Sequence, residues 1–148
     1  MSPDEKLNTE QVAKKTAYWL DLAEYDMDVA RTMMTAHHLL YVGFMCHQVA
    51  EKSLKGLYVL TAQVDPPYIH ALVKLAKLSN SYDELSPEDQ ALLDELEPLN
   101  IEARYPAQKE AVLKSLTAIR CRELIKGTER LLLWIKTKCD AVLSDMRK

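Results

Sequence analysis

The sequence predicts an all-α protein, an antiparallel up-and-down bundle of four to five helices. Three observations lead there. Apolar residues recur at three- and four-residue steps through most of the chain, the period of a helix with one buried face. No run alternates with period two in β-branched residues, so no strand is expected. Only 3 glycines interrupt the 148 residues, and most of the prolines sit between the periodic stretches.

Asn8 or Thr9 can cap a first helix, with Glu10 and Gln11 in its opening turn. Its apolar positions (Val12, Ala13, Trp19, Leu20, Ala23, Ala30 and Met33 among them) run to about Ala36, where His37-His38 closes the pattern. The second helix starts at Tyr41, carries Val42, Met45, Cys46, Val49, Leu57 and Leu60 on one stripe, and ends near Gln63. Val64-Asp65-Pro66-Pro67 cannot continue it, because proline removes a donor and restricts its predecessor. His70 opens a short helix through Leu78, broken by Asn80-Ser81-Tyr82-Asp83. Ser86-Pro87-Glu88-Asp89 combines a cap, a first-turn proline and two acids, and starts a helix to about Ile101, with Pro98 ending or kinking it. After the break at Arg104-Tyr105-Pro106, one long last helix carries Val112, Leu116, Ile119, Leu124, Leu131, Trp134, Ile135 and Val142. Residues 8–143 are expected to form a single domain, with flexible termini at 1–7 and 144–148.

A chain of this length fits one domain and buries roughly 70% of its unfolded surface. The formal net charge of −3 gives no global attraction to nucleic acid or an anionic membrane. No stretch approaches the ~20 apolar residues of a membrane span. The start of the chain is polar and lacks a signal peptide's apolar run, so a cytoplasmic location is expected. Cys46, Cys121 and Cys139 are odd in number, far apart and without metal-site spacing, and read as reduced thiols with Cys46 in the core. His37-His38 lacks further ligands at matching spacing, and Gly43, Gly56 and Gly127 are too scattered for a phosphate loop. No metal, no cofactor and no complete catalytic set are expected. Trp19, Met33, Met45 and Trp134 read as core.

The second helix is the best lead to function. His47, Glu51 and Lys55 stand one turn apart, with Gln48 and Lys52 beside them. One reading is a solvated or dimer-facing surface with an ordinary Glu51–Lys55 pair worth ~0.2–0.5 kcal/mol. The other is a water-accessible groove, formed by two copies of the chain, that offers lysines to phosphate and His47 or Gln48 to a base or ribose edge. His70 either caps and packs locally or faces the same groove. On the last helix, Arg122, Lys126 and Arg130 form one basic line at four-residue steps. It is a solvated face, or a contact for a polyanion or an acidic partner.

The order of these pieces resembles the HEPN domain (higher eukaryotes and prokaryotes nucleotide-binding) of small prokaryotic proteins. The resemblance rests on Ala23-Glu24-Tyr25-Asp26-Met27-Asp28-Val29-Ala30, Cys46-His47-Gln48-Val49-Ala50-Glu51-Lys52-Ser53-Leu54-Lys55, His70-Ala71-Leu72-Val73-Lys74-Leu75, Ala103-Arg104-Tyr105-Pro106 and Trp134. It implies a helical bundle, commonly a homodimer, often paired with a minimal nucleotidyltransferase. Some members bind nucleotides, and others are ribonuclease toxins of toxin–antitoxin pairs that carry Arg-x(4–6)-His. Arg104 stands about where that arginine falls, but positions 109, 110 and 111 are Lys109, Glu110 and Ala111. Without the imidazole there is no evident general base for a 2′-hydroxyl. Arg31 and His37 fit the spacing in the wrong segment. Arg104 is left to bridge an acid such as Glu51 or to take a phosphate in bidentate fashion, and Tyr105 to pack beside it. The expectation is a non-catalytic binding domain whose ligand residues are His47, Gln48, Glu51, Lys52, Lys55, His70, Arg104 and Tyr105. A nucleotide and a nucleotidyltransferase subunit are its candidate partners, with RNA behind them. A degenerate ribonuclease toxin and a pure interaction module are the alternatives.

Overall fold

The computed structural model describes residues 5–100 and 106–148. Among these residues six α-helices follow one another: α1 (Thr9–Thr35), α2 (Leu39–Ala62), α3 (Leu72–Leu78), α4 (Pro87–Leu96), α5 (Pro106–Ser115) and α6 (Ala118–Met146). Among the described residues there is no strand.

Each boundary has a local cause. Asn8, rather than Thr9, caps α1 in a reciprocal box with Gln11: each side chain accepts from the other residue's backbone N–H at 2.8 and 2.9 Å. The α1–α2 link turns within three residues, and His37 takes a left-handed φ of 62° to make the reversal. Gln63 ends α2 in the same left-handed conformation, with its N–H returned to the Val59 carbonyl. Ser86 caps α4 and Pro87 occupies its first turn. Helical geometry gives way at Leu96 to a 3₁₀ turn over Glu97–Leu99, where Pro98 removes a donor.

Several boundaries differ from the sequence reading: α2 begins at Leu39 instead of Tyr41, and α4 ends at Leu96, short of Ile101. The short third helix begins at Leu72, which leaves His70 in the preceding loop. The expected single last helix is two, so the described residues of the all-α bundle hold six helices. Thr117 is extended, and its hydroxyl accepts from the Arg120 N–H at 3.1 Å, capping α6 and closing α5 before it. Periodicity carried through Val112, Leu116 and Ile119 hid that cap. The packed unit also reaches past the expected limits of 8 and 143: Leu7 is buried, its N–H donates to the Gln63 carbonyl at 2.8 Å, and α6 runs on to Met146.

Helix α2 is the centre of the bundle. It touches α1, α3, α4, α5 and α6 and buries residues on every side, including Leu54, Leu57 and Leu60. α6 runs antiparallel to α1, as the ion pairs Glu24–Lys136 and Arg31–Glu129 fix: the first partner advances as the second recedes. α4 is likewise antiparallel to α6 through Arg130–Asp89, with Gly127 against Leu92.

Gly56 lets α1 and α2 approach closely. A Cβ there would stand 3.3 Å from the Trp19 Cβ and 3.5 Å from the Thr16 carbonyl oxygen. Gly56→Val is therefore expected to destabilise the fold by about 1–3 kcal/mol through overpacking, measured by urea denaturation. Unchanged stability would show that the seam has slack.

Candidate functional site

The polar stripe of α2 forms a charge-paired centre inside the single chain. Glu51 is its hub. Its Oε2 accepts from the Lys55 Nζ at 3.1 Å, and its Oε1 lies 2.9 Å from the His70 Nδ1 and 4.0 Å from the His47 Nδ1. The Lys55 ammonium also stands 5.6 Å from the centroid of the Trp19 ring, a cation–π distance. Beside the hub, the Lys52 Nζ reaches back to the Asp26 Oδ2 of α1 at 2.5 Å. The arrangement follows from helix geometry: 47, 51 and 55 share a line, and 52 lies one step round toward α1.

Burial corrects the expected groove. Side-chain exposure is 0% for His47, 6% for Glu51 and 8% for Lys55, so these three do not line a water-accessible cleft. Because α2 is enclosed by its neighbours, even its polar stripe is sealed. Buried charges are tolerated when paired and hydrogen-bonded, which the Glu51–Lys55–His70 geometry provides. The Lys52 and Lys55 ammonium groups, expected to face phosphate, are each matched by a carboxylate. Gln48 and Lys52 are half-buried and His70 is 62% exposed, so these three carry the centre to the surface. Arg104 and Tyr105 lie outside the described residues.

The remaining candidates divide. Arg122 and Lys126 are exposed on α6. Arg130 is not available as the third cation of that line, because its Nε donates to the Asp89 Oδ1 at 2.9 Å and its guanidinium also faces Glu88 at 3.8 Å. Arg31 is held by Asp28 at 2.7 Å and Glu129 at 3.5 Å. Among the described residues, no group of three His, Cys, Asp or Glu side chains could hold a metal ion, and no helix is long and apolar enough to cross a membrane. All three cysteines are free and buried.

Sequence reasoning missed two members of the centre. Asp26 is buried on α1 at the phase of Ala23, Met27 and Ala30. An acid in an apolar register was the available signal, since it needs a cation from a facing helix. Trp19, read as core, is half-buried against Gly56 and offers its ring to Lys55.

Three comparisons bear on this architecture. The HEPN domain family model matches residues 16–138. No curated protein matches the chain. A crystal structure of TT1696 from Thermus thermophilus superposes with a TM-score of 0.70 at 22% identity, over 84% of this chain and 98% of that one, a likeness of fold.

Burial pushes the Cys46 and Cys139 thiols from 9.0 up to about 12, and the Thr128 hydroxyl beside Cys46 offsets this only in part. Both protons are then held in the folded state at pH values where the unfolded chain releases them. The stability they contribute is complete below pH 9 and is lost as pH rises from about 9 toward 12. Between pH 8 and pH 10 the loss is expected to be about 1.4 kcal/mol per thiol. Urea denaturation at the two pH values checks it, and Cys46→Ala/Cys139→Ala should show a correspondingly smaller loss.

Proposed function

The chain belongs to the HEPN domain family, and from that premise we propose that it is a non-catalytic binding domain, a homodimer that serves a minimal nucleotidyltransferase. One observation carries the reading: the chemistry-bearing side chains of the polar centre are paired with one another. Glu51 answers Lys55 and His70, and Lys52 answers Asp26. A group that serves as general base or nucleophile must be presented to a reacting atom. These groups are instead committed to one another, and the thiols are buried and held protonated. The Arg-x(4–6)-His motif is unfilled at positions 109–111, which supports the same conclusion.

A ligand would meet this centre from its rim. His70, Lys52 and Gln48 are the members that reach solvent. With both lysines already neutralised, a nucleotide would meet the rim through the Gln48 amide and the His70 ring, while Lys52 turns from Asp26 to phosphate. The exposed cations Arg122 and Lys126 favour an acidic protein surface as the second contact, worth more in association rate than in affinity.

Thermal denaturation with ATP, GTP, CTP or UTP tests the nucleotide part. At least one is expected to raise the melting temperature, the stabilisation reaching ~2.7 kcal/mol at 100 times Kd. Asp26→Asn/Lys52→Met, which removes the pair without stranding either charge, should abolish the rise. No shift with any of the four would remove nucleotide binding from the reading. RNA cleavage that persists in EDTA and disappears in Arg104→Ala would replace it with the ribonuclease alternative.

A further inference from the structure

The connection from α2 to α3 is pinned over the polar centre at two points. At one, the Lys15 ammonium of α1 donates to the Asp65 Oδ1 at 2.7 Å; at the other, the His70 Nδ1 meets the Glu51 Oε1 of α2 at 2.9 Å. Lys15 stands one turn before Trp19, and Glu51 one turn before Lys55. Helices α1 and α2 are antiparallel, since Asp26 meets Lys52 while the Trp19 Cβ lies against Gly56. The two pins therefore lie on opposite sides of the Trp19–Lys55 contact along the bundle. At ~1.5 Å per helical residue they differ in level by about 12 Å. Five residues, extending to at most ~17 Å, span that distance and carry the chain past the contact.

Between the pins the segment is held lightly. Of the N–H groups from Val64 to Ala71, that of Ile69 alone donates to a backbone carbonyl among the described residues, reaching Pro67 at 2.9 Å. The Ile69 side chain packs against the core, while Tyr68 beside it is fully exposed. The ends are firm. Gln63 gives its N–H to Val59 and accepts from Leu7, and the Val73 N–H is held by the Glu97 Oε1 at 3.1 Å. Pro66-Pro67 stiffens the piece between them. Releasing the His70 pin strands neither partner: Glu51 keeps Lys55 at 3.1 Å, and His70 already reaches solvent. A segment with few backbone hydrogen bonds between firm ends opens locally while the rest stays folded.

We propose that residues 65–70 form a strap that opens over the Trp19 ring and the Lys55 ammonium, with His70–Glu51 as its latch, and that this opening gates the polar centre. Open, the strap presents a cation beside an aromatic ring, groups suited to a phosphate and a stacked base. The proposal deepens the nucleotide reading above and rests on it for what enters, while the motion itself stands on the pins.

Pulse acetylation of the full chain with acetic anhydride, read residue by residue by mass spectrometry, tests the strap without any nucleotide. In the wild type Lys55 is expected to label far more slowly than Lys136, which is 41% exposed on the α1–α6 seam. His70→Ala should speed the labelling of Lys55 about tenfold or more and leave Lys136 unchanged. His70→Gln, whose amide can donate to Glu51, should keep the slow rate. Hydrogen exchange supplies the control for folding: the Ile69 amide should lose protection in His70→Ala while those of Leu54 and Leu57 in α2 keep theirs. A wild-type Lys55 that labels as fast as Lys136, an unchanged rate in His70→Ala, equal acceleration in His70→Gln, or loss of protection throughout α2 would overturn the proposal. Accelerated labelling with no melting shift from any of the four nucleotides would overturn the nucleotide reading alone and leave the strap standing.

Discussion

A carboxylate enclosed by a helical bundle must be met by partners placed to within hydrogen-bond distance, and Glu51 imposes that demand here. It sits on the one helix that the others surround, so no water shell can compensate its charge. Lys55 answers from the next turn of α2 at 3.1 Å, and His70 answers from the loop before α3 at 2.9 Å. Through His70 the demand fixes where that loop lies on the bundle. Through Trp19, which stands over the Lys55 ammonium, it reaches α1. The seam that Gly56 keeps narrow is thus held by close packing and by charge together.

Much of this was legible in the residues. Helical period, the Asn8 and Ser86 caps and the Pro66-Pro67 stop located the elements because each acts within a few residues. The division at Thr117 was missed because apolar spacing persisted across it while a single hydroxyl decided the break. The stripe His47–Glu51–Lys55 was visible from spacing, but its burial was not. Whether a polar line faces water depends on what packs over it, a property of the other helices. Asp26 shows the same limit, since its partner Lys52 is 26 residues away and only the folded seam unites them. Arg130 shows the reverse: a regular basic line in sequence lost one member to the start of α4.

Membership of the HEPN family and the shared fold describe a scaffold, and function on such scaffolds resides in the sites they carry. In this chain the site chemistry is inward and balanced at its hub, with access at His70, Lys52 and Gln48. The hub charges are held in place by one another, Glu51 by Lys55 and His70, and Lys52 by Asp26. Outward, the start of α2, α5 and the start of α6 leave Tyr41, Leu113 and Ile119 exposed.

The claim beneath this account is that the Glu51–Lys55 pair acts as a buried unit. A double-mutant cycle with Glu51→Gln and Lys55→Met, read by urea denaturation, tests it most directly. Each single change should cost about 3–5 kcal/mol by stranding its partner, and the pair of changes together should cost far less than their sum, a coupling of about 2 kcal/mol or more. Additive effects with a coupling near zero would mean that the two charges are independent, and would contradict the account.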